Sequence, residues 1–216
     1  LMAASRDNRV DRCTFVGNAA RGVQIHVDPA TWQTAGYPTG TRIDRNHFQD
    51  IPSVKQGDSA PNGRETIQVG QGGPAEAEPR TVVEYNVFLR CDGENECISN
   101  KTSGNIYRFN SFKDQVGSMS LRGAARCVVE GNWFENTPGI HVQGRDHVLV
   151  HTVIVRSGGS RKPGNKGVAG SITLGYGMKL SPDSAHPQHY KAAEGCLIAN
   201  NTIVDPPAYG LVIGAG

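Results

Sequence analysis

Apolar and polar residues alternate along this chain in short bursts, broken by Gly, Asn and charged residues. No stretch carries the three-to-four spacing of an amphipathic helix. One phrase recurs: an apolar alternation, a polar residue that is usually Asn, one further residue, then a large apolar one. It reads NRVDRCTF, TRIDRNHF, TVVEYNVF, NIYRFNSF, RCVVEGNWF, HVLVHTVI and CLIANNTI, closing at Phe15, Phe48, Phe88, Phe112, Phe134, Ile154 and Ile203. The middle spacings are 24, 22 and 20 residues, and the others, 33, 40 and 49, are the same unit carrying insertions. The phrases SMSLRGA, NTPGIHVQG and AYGLVIGAG supply a further strand per unit.

A repeat of this length built from short strands predicts an all-β solenoid, a right-handed parallel β-helix, over residues 1–216 as one domain. A single turn cannot bury its own apolar side chains. Like residues must therefore stack on like and make one continuous core. Asn before the large apolar residue suits a corner, where its amide can bond backbone groups and where Asn tolerates the left-handed conformation. Three segments leave the coil: 49–62, 69–80 and a Gly-rich basic loop from Arg156 to Ser171. That loop lacks the Gly-Lys-Ser/Thr ending of a phosphate loop. The chain opens without Met or a signal-like apolar core and closes on a strand-like run, so both ends read as cut from a longer chain.

Composition narrows the function classes. Against 22 basic residues stand 20 acidic ones, so bulk charge announces neither a nucleic-acid nor a membrane partner. No run approaches the roughly 20 apolar residues that span a bilayer. Five scattered cysteines without a CxxC pair read as buried small side chains rather than zinc ligands. His141, His147 and His151 are spaced as outward positions of a rung, which favours structural roles over a transition-metal site.

The segment ENECISNK carries the chemistry. Glu94 and Glu96 are two apart, so on a strand both face one way and could share one ion. Lys101 follows with the opposite parity, which a straight strand would aim elsewhere unless a corner intervened. A salt-bridged surface strand and a cation site beside a base both fit these residues.

In this repeat the segment resembles the calcium and base segment of polysaccharide lyase family six, which includes alginate lyases and chondroitinase B. NGRETIQVG resembles the family phrase NGxExIRxG, and SMSLRG resembles the strand carrying the catalytic arginine, one coil beyond Lys101. The resemblance implies Ca2+ held by Asn62, Glu94 and Glu96, Lys101 as base, and Arg122 as acid or charge stabiliser. It further implies an acidic polysaccharide substrate, alginate above dermatan sulfate, and a secreted or periplasmic bacterial protein. His141 stands where relatives often carry Arg, and with Arg145 is a candidate for substrate binding. Gly123 replaces the usual His after the arginine, and Gln68 stands where Arg is common. A β-helix that binds acidic glycan without cleaving it remains the alternative. A β-helix glycoside hydrolase lacks the clustered Asp pair it would need.

Overall fold

The computed structural model describes residues 4–53, 63–159, 169–177 and 191–215. Its strands form three sheets of seven, all parallel, and each turn of chain adds one strand to each sheet. The predicted right-handed parallel β-helix is therefore the fold observed. The coil that leads into the site runs Val82–Glu84, Val87–Cys91 and then Glu96–Asn100, one strand in each sheet. The basic loop at 160–168 falls outside the described residues, as do 54–62.

The recurring phrase is what holds the coils in step. Phe15, Phe48, Phe88, Phe112, Phe134, Ile154 and Ile203 pair in register through the second sheet. Neighbouring rings stack with centroids 4.4 to 5.1 Å apart. Each such pair adds about 1 kcal/mol beyond its buried area.

At the corner before this stack, Asn46, Asn86, Asn110 and Asn132 form a ladder. Each Oδ1 accepts from the residue one coil below. Asn110 Oδ1, for example, takes the Asn86 amide N–H at 3.0 Å and its Nδ2 at 3.0 Å. Each Nδ2 donates to the strand below, as Asn110 does to the Val83 carbonyl at 2.9 Å. The left-handed residue is not the Asn but the one before it: Arg45, Tyr85 and Phe109 have φ near +55°. Bulky side chains in that region cost about 1 kcal/mol each, and the amide ladder that follows them holds them there.

Cys91, Cys97 and Cys127 are buried as the sequence suggests, whereas Cys13 is exposed and Cys196 half-buried. His147 is also structural. Its Nδ1 accepts from the Cys127 amide at 3.1 Å, leaving Nε2 to donate to the Gln143 carbonyl at 3.2 Å.

The ladder makes a quantitative prediction. Asn110→Ala leaves the Asn86 amide and the Val83 carbonyl without partners in a dry corner, and should cost about 3 kcal/mol in urea unfolding. Ser111→Ala, on the outer face of the next strand, should cost less than about 0.5 kcal/mol.

Candidate functional site

The third sheet carries the site. Its inward rows are apolar apart from Asn100: Ile67, Ile98, Met119, Ile140 and Ile172 pair in one row. The row between them faces out and reads Gln24, Gln68, Ser99, Ser120, His141, Thr173. Strand alternation then puts Lys101 and Arg122 on that outer face, since they follow the paired inward residues Asn100 and Leu121.

The opposite parity of Glu96 and Lys101 is resolved by a β-bulge. Glu96 pairs with Ser118 and Ile98 with Met119, so Cys97 is an extra residue with no partner in the next coil. Cys97 and Ile98 both enter the core. The side-chain alternation therefore slips by one, and Glu96, Ser99 and Lys101 share the outer face. The bulge lies inside the strand, before the corner that the sequence suggests. A second bulge sets Arg122: Leu121 pairs with Val142 and Ala124 with Gly144, leaving Arg122 and Gly123 opposite one residue. Gly123 adopts φ +66°, a conformation that favours glycine at this position.

Glu94 rides on the loop Asp92–Asn95, pinned from both sides. The Asp92 amide donates to the Ile51 carbonyl at 2.8 Å, and its carboxylate accepts from the Val116 amide at 2.8 Å. The Ser118 amide donates to the Asn95 carbonyl at 2.9 Å. Glu94 Oε2 accepts from the Arg64 amide at 3.1 Å.

Three carboxylates converge here. Oxygens of Glu65, Glu94 and Glu96 lie within 4.8 Å of one another, all in buried residues. Glu65 is the member that reading the sequence missed, and a signal for it existed. It precedes Ile67 by two positions, as Glu96 precedes Ile98, and those isoleucines stack. Asn62 lies outside the described residues.

Cations frame the acids. Lys101 Nζ stands 3.5 Å from Glu65 Oε1, Arg21 Nε donates to Glu65 Oε2 at 2.8 Å, and Arg122 Nη1 stands 3.4 Å from Glu96 Oε2. Even so, burial pushes the Glu94 carboxyl up to about 7, helped by the negative charges of Glu65 and Glu96. Its bond from the Arg64 amide and the charge of Lys101 pull the other way without prevailing. Three crowded carboxylates, one of them holding its proton near neutrality, make a donor set of hard oxygens that suits a hard divalent cation.

His141 joins the same wall. Burial lowers its pKa; Glu96 opposes that shift and Arg122 reinforces it. Its buried Nε2 has no hydrogen-bond partner among the described residues. Arg145 does not join. It is engaged by Asp146 at 3.1 Å and by Glu76 at 3.8 Å, at the corner where its backbone bridges Glu194. Asp183, His186 and His189 lie outside the described residues.

Known proteins bear on this arrangement. A mannuronic acid specific polysaccharide family 6 lyase from human gut microbiota is 27% identical, with a TM-score of 0.77; the match covers 99% of this chain and 46% of that one. The PL6 family alginate lyase AlyGC is 30% identical over 94% of this chain and 26% of its own length, with a TM-score of 0.74. A PL6 alginate lyase solved with a trisaccharide, at 22% identity and a TM-score of 0.78, shares the fold; the match covers 95% of this chain and 45% of that one. This chain thus spans less than half the length of these solved relatives. No curated protein matches it. The chondroitinase B family model matches residues 1–215, every described coil from first to last, and the chain therefore belongs to the chondroitinase B family.

Proposed function

We propose that this chain carries the catalytic wall of a calcium-assisted polysaccharide lyase that cleaves a uronate polymer, alginate foremost, by β-elimination. The observation that carries the reading is the packing of Glu65, Glu94 and Glu96 against Lys101 and Arg122 on one face of adjacent coils. The choice of alginate is supported by the substrates named for the relatives at 27 and 30% identity. A secreted or periplasmic location rests on the family resemblance alone.

β-Elimination begins with loss of the proton on C5 of the uronate, beside its carboxylate. Glu94, Glu96 and Glu65, with Asn62 from the resemblance, would hold calcium, which when bound neutralises the uronate carboxylate so that the C5 carbanion becomes accessible. Lys101 takes the C5 proton at Nζ. Its amine is held on the wall by Glu65, whose other oxygen is fixed by Arg21. Arg122 stays charged and faces the anion that develops as the C5 proton leaves. At an effective dielectric near 20, one such charge about 4 Å away contributes roughly 4 kcal/mol. His141, one coil beyond Arg122, offers its unpartnered Nε2 to the sugar.

Gly123 favours a second reading. With no side chain where relatives carry His, the same wall could bind acidic glycan without cleaving it.

Two measurements test these readings. The rise of ultraviolet absorbance from unsaturated uronate, with alginate as substrate, should stop on adding a chelator. It should fall about a thousandfold in Lys101→Ala. Retention of alginate on an affinity gel with no rise in absorbance would select the binding reading.

The Glu94 carboxyl supplies the pH prediction. A carboxyl raised to about 7 is protonated below that pH and must lose its proton to ligate, so calcium should bind more weakly as pH falls through about 7. Without calcium the sign for stability is the reverse. The folded form holds a proton that the unfolded chain releases near 4.5, so Glu94 favours folding less as pH rises from 4.5 to about 7. Calorimetric titration and chelator-treated unfolding across that range should show both slopes, and Glu94→Gln should flatten them.

A further inference from the structure

Cys91 and Cys97 bracket the acidic loop. Cys91 ends the second-sheet strand Val87–Cys91, and Cys97 is the bulged residue of the next strand. Both side chains turn into the core, with exposures of 0% and 1%. They lie close enough there that the Cys91 thiol adds to burial in raising the Cys97 pKa, while the Cys91 thiol itself donates to the Phe48 carbonyl at 3.5 Å. Backbone packing draws the two together. A Cβ at Gly117 would lie 2.9 Å from the Cys91 carbonyl oxygen and 3.1 Å from Cys97 Cβ, so both cysteines pack on one point of the coil above.

We propose that Cys91 and Cys97 form a disulfide that closes the seven-residue loop bearing Glu94 and Glu96 when the chain folds in an oxidising compartment. Among the described residues the other three cysteines have no such partner. Cys127 sits at a different corner, accepting from Asn100 Nδ2 at 3.4 Å, while Cys13 and Cys196 lie near the surface.

The chemistry balances with a small disulfide such as glutathione disulfide as oxidant. The Cys91 thiolate attacks one glutathione sulfur, forming a mixed disulfide and releasing one glutathione. The Cys97 thiolate then attacks the Cys91 sulfur and releases the second. Two thiol protons leave and two electrons end on the glutathione pair. Neither sulfur is reachable in the folded coil, so closure occurs while the coil is still open. The same covering then shields the bond from reductants. The staple fixes the ends of the loop that the Asp92 and Ser118 hydrogen bonds pin from above and below.

Sequence makes the test direct, because Arg90 and Lys101 enclose both cysteines in one tryptic peptide, residues 91–101. The protein is folded in a glutathione redox buffer, alkylated without reduction and digested. The expected peptide is unalkylated and lighter by two hydrogens than its reduced form, with Cys13, Cys127 and Cys196 alkylated. A peptide carrying two alkyl groups, or one joined to another cysteine, overturns the proposal. As a second measurement, protein folded with dithiothreitol should melt about 5 °C lower than oxidised protein. The Cys91→Ala/Cys97→Ala double variant should melt at one temperature under both conditions. A variant that keeps the difference sinks the assignment. Both readouts are independent of calcium and of turnover, so they stand or fall apart from the lyase reading.

Discussion

Every feature of this protein depends on one constraint: a residue must lie directly above its counterpart in the coil below. Parallel pairing fixes neighbouring strands about 4.8 Å apart. Aromatic rings at that spacing stack, and side-chain amides at that spacing reach each other and the backbone. The Phe15 to Phe134 column and the Asn46 to Asn132 ladder use the same repeat distance on either side of one corner. Slipping one coil by a residue would break both, and with them the alignment of everything on the outer face.

The site is this constraint turned outward. Glu65, the Glu94–Lys101 segment, Arg122 and His141 come from four successive coils, so the stack sets their order along the groove. Three carboxylates are matched by three cationic side chains, Lys101, Arg21 and Arg122. A divalent cation entering among the acids would compete with those side chains for the same oxygens. It would loosen Lys101 from Glu65 and free its amine for a substrate. Loading the metal and readying the base would then be one event.

Much of the fold was legible because stacking repeats composition. A Phe or Ile two positions after an Asn recurs along the chain, and the insertions only lengthen the intervals. Backbone detail was less legible. The left-handed residue precedes the Asn, since the Asn itself must extend to present both ends of its amide to the ladder. In the site, Glu94, Glu96, Lys101 and Arg122 could be named from spacing and resemblance. Glu65 went unnamed although it fills the Glu of the phrase NGRETIQVG; its place beside Glu96 follows from the stacking of Ile67 on Ile98. Arg145 stands at the corner, where its charge is engaged by Glu76 and Asp146. Which acid meets which base between coils depends on loop paths that no local pattern records.

The bulge at Cys97 has a consequence for how such a wall can change over time. Corners take in whole loops without altering the strands beyond them, as the uneven spacing of the repeat attests. The strand bearing the acids has no such tolerance, because its facing is a matter of odd or even count. Straightening the bulge at unchanged residue count would turn the carboxylate and the amine to opposite sides of the sheet, because Glu96 and Lys101 are five positions apart. Lineages of this protein can therefore retune the groove freely by exchanging side chains or growing loops. Within these few positions, residue count and bulge can change only together, since either alone would separate the two groups.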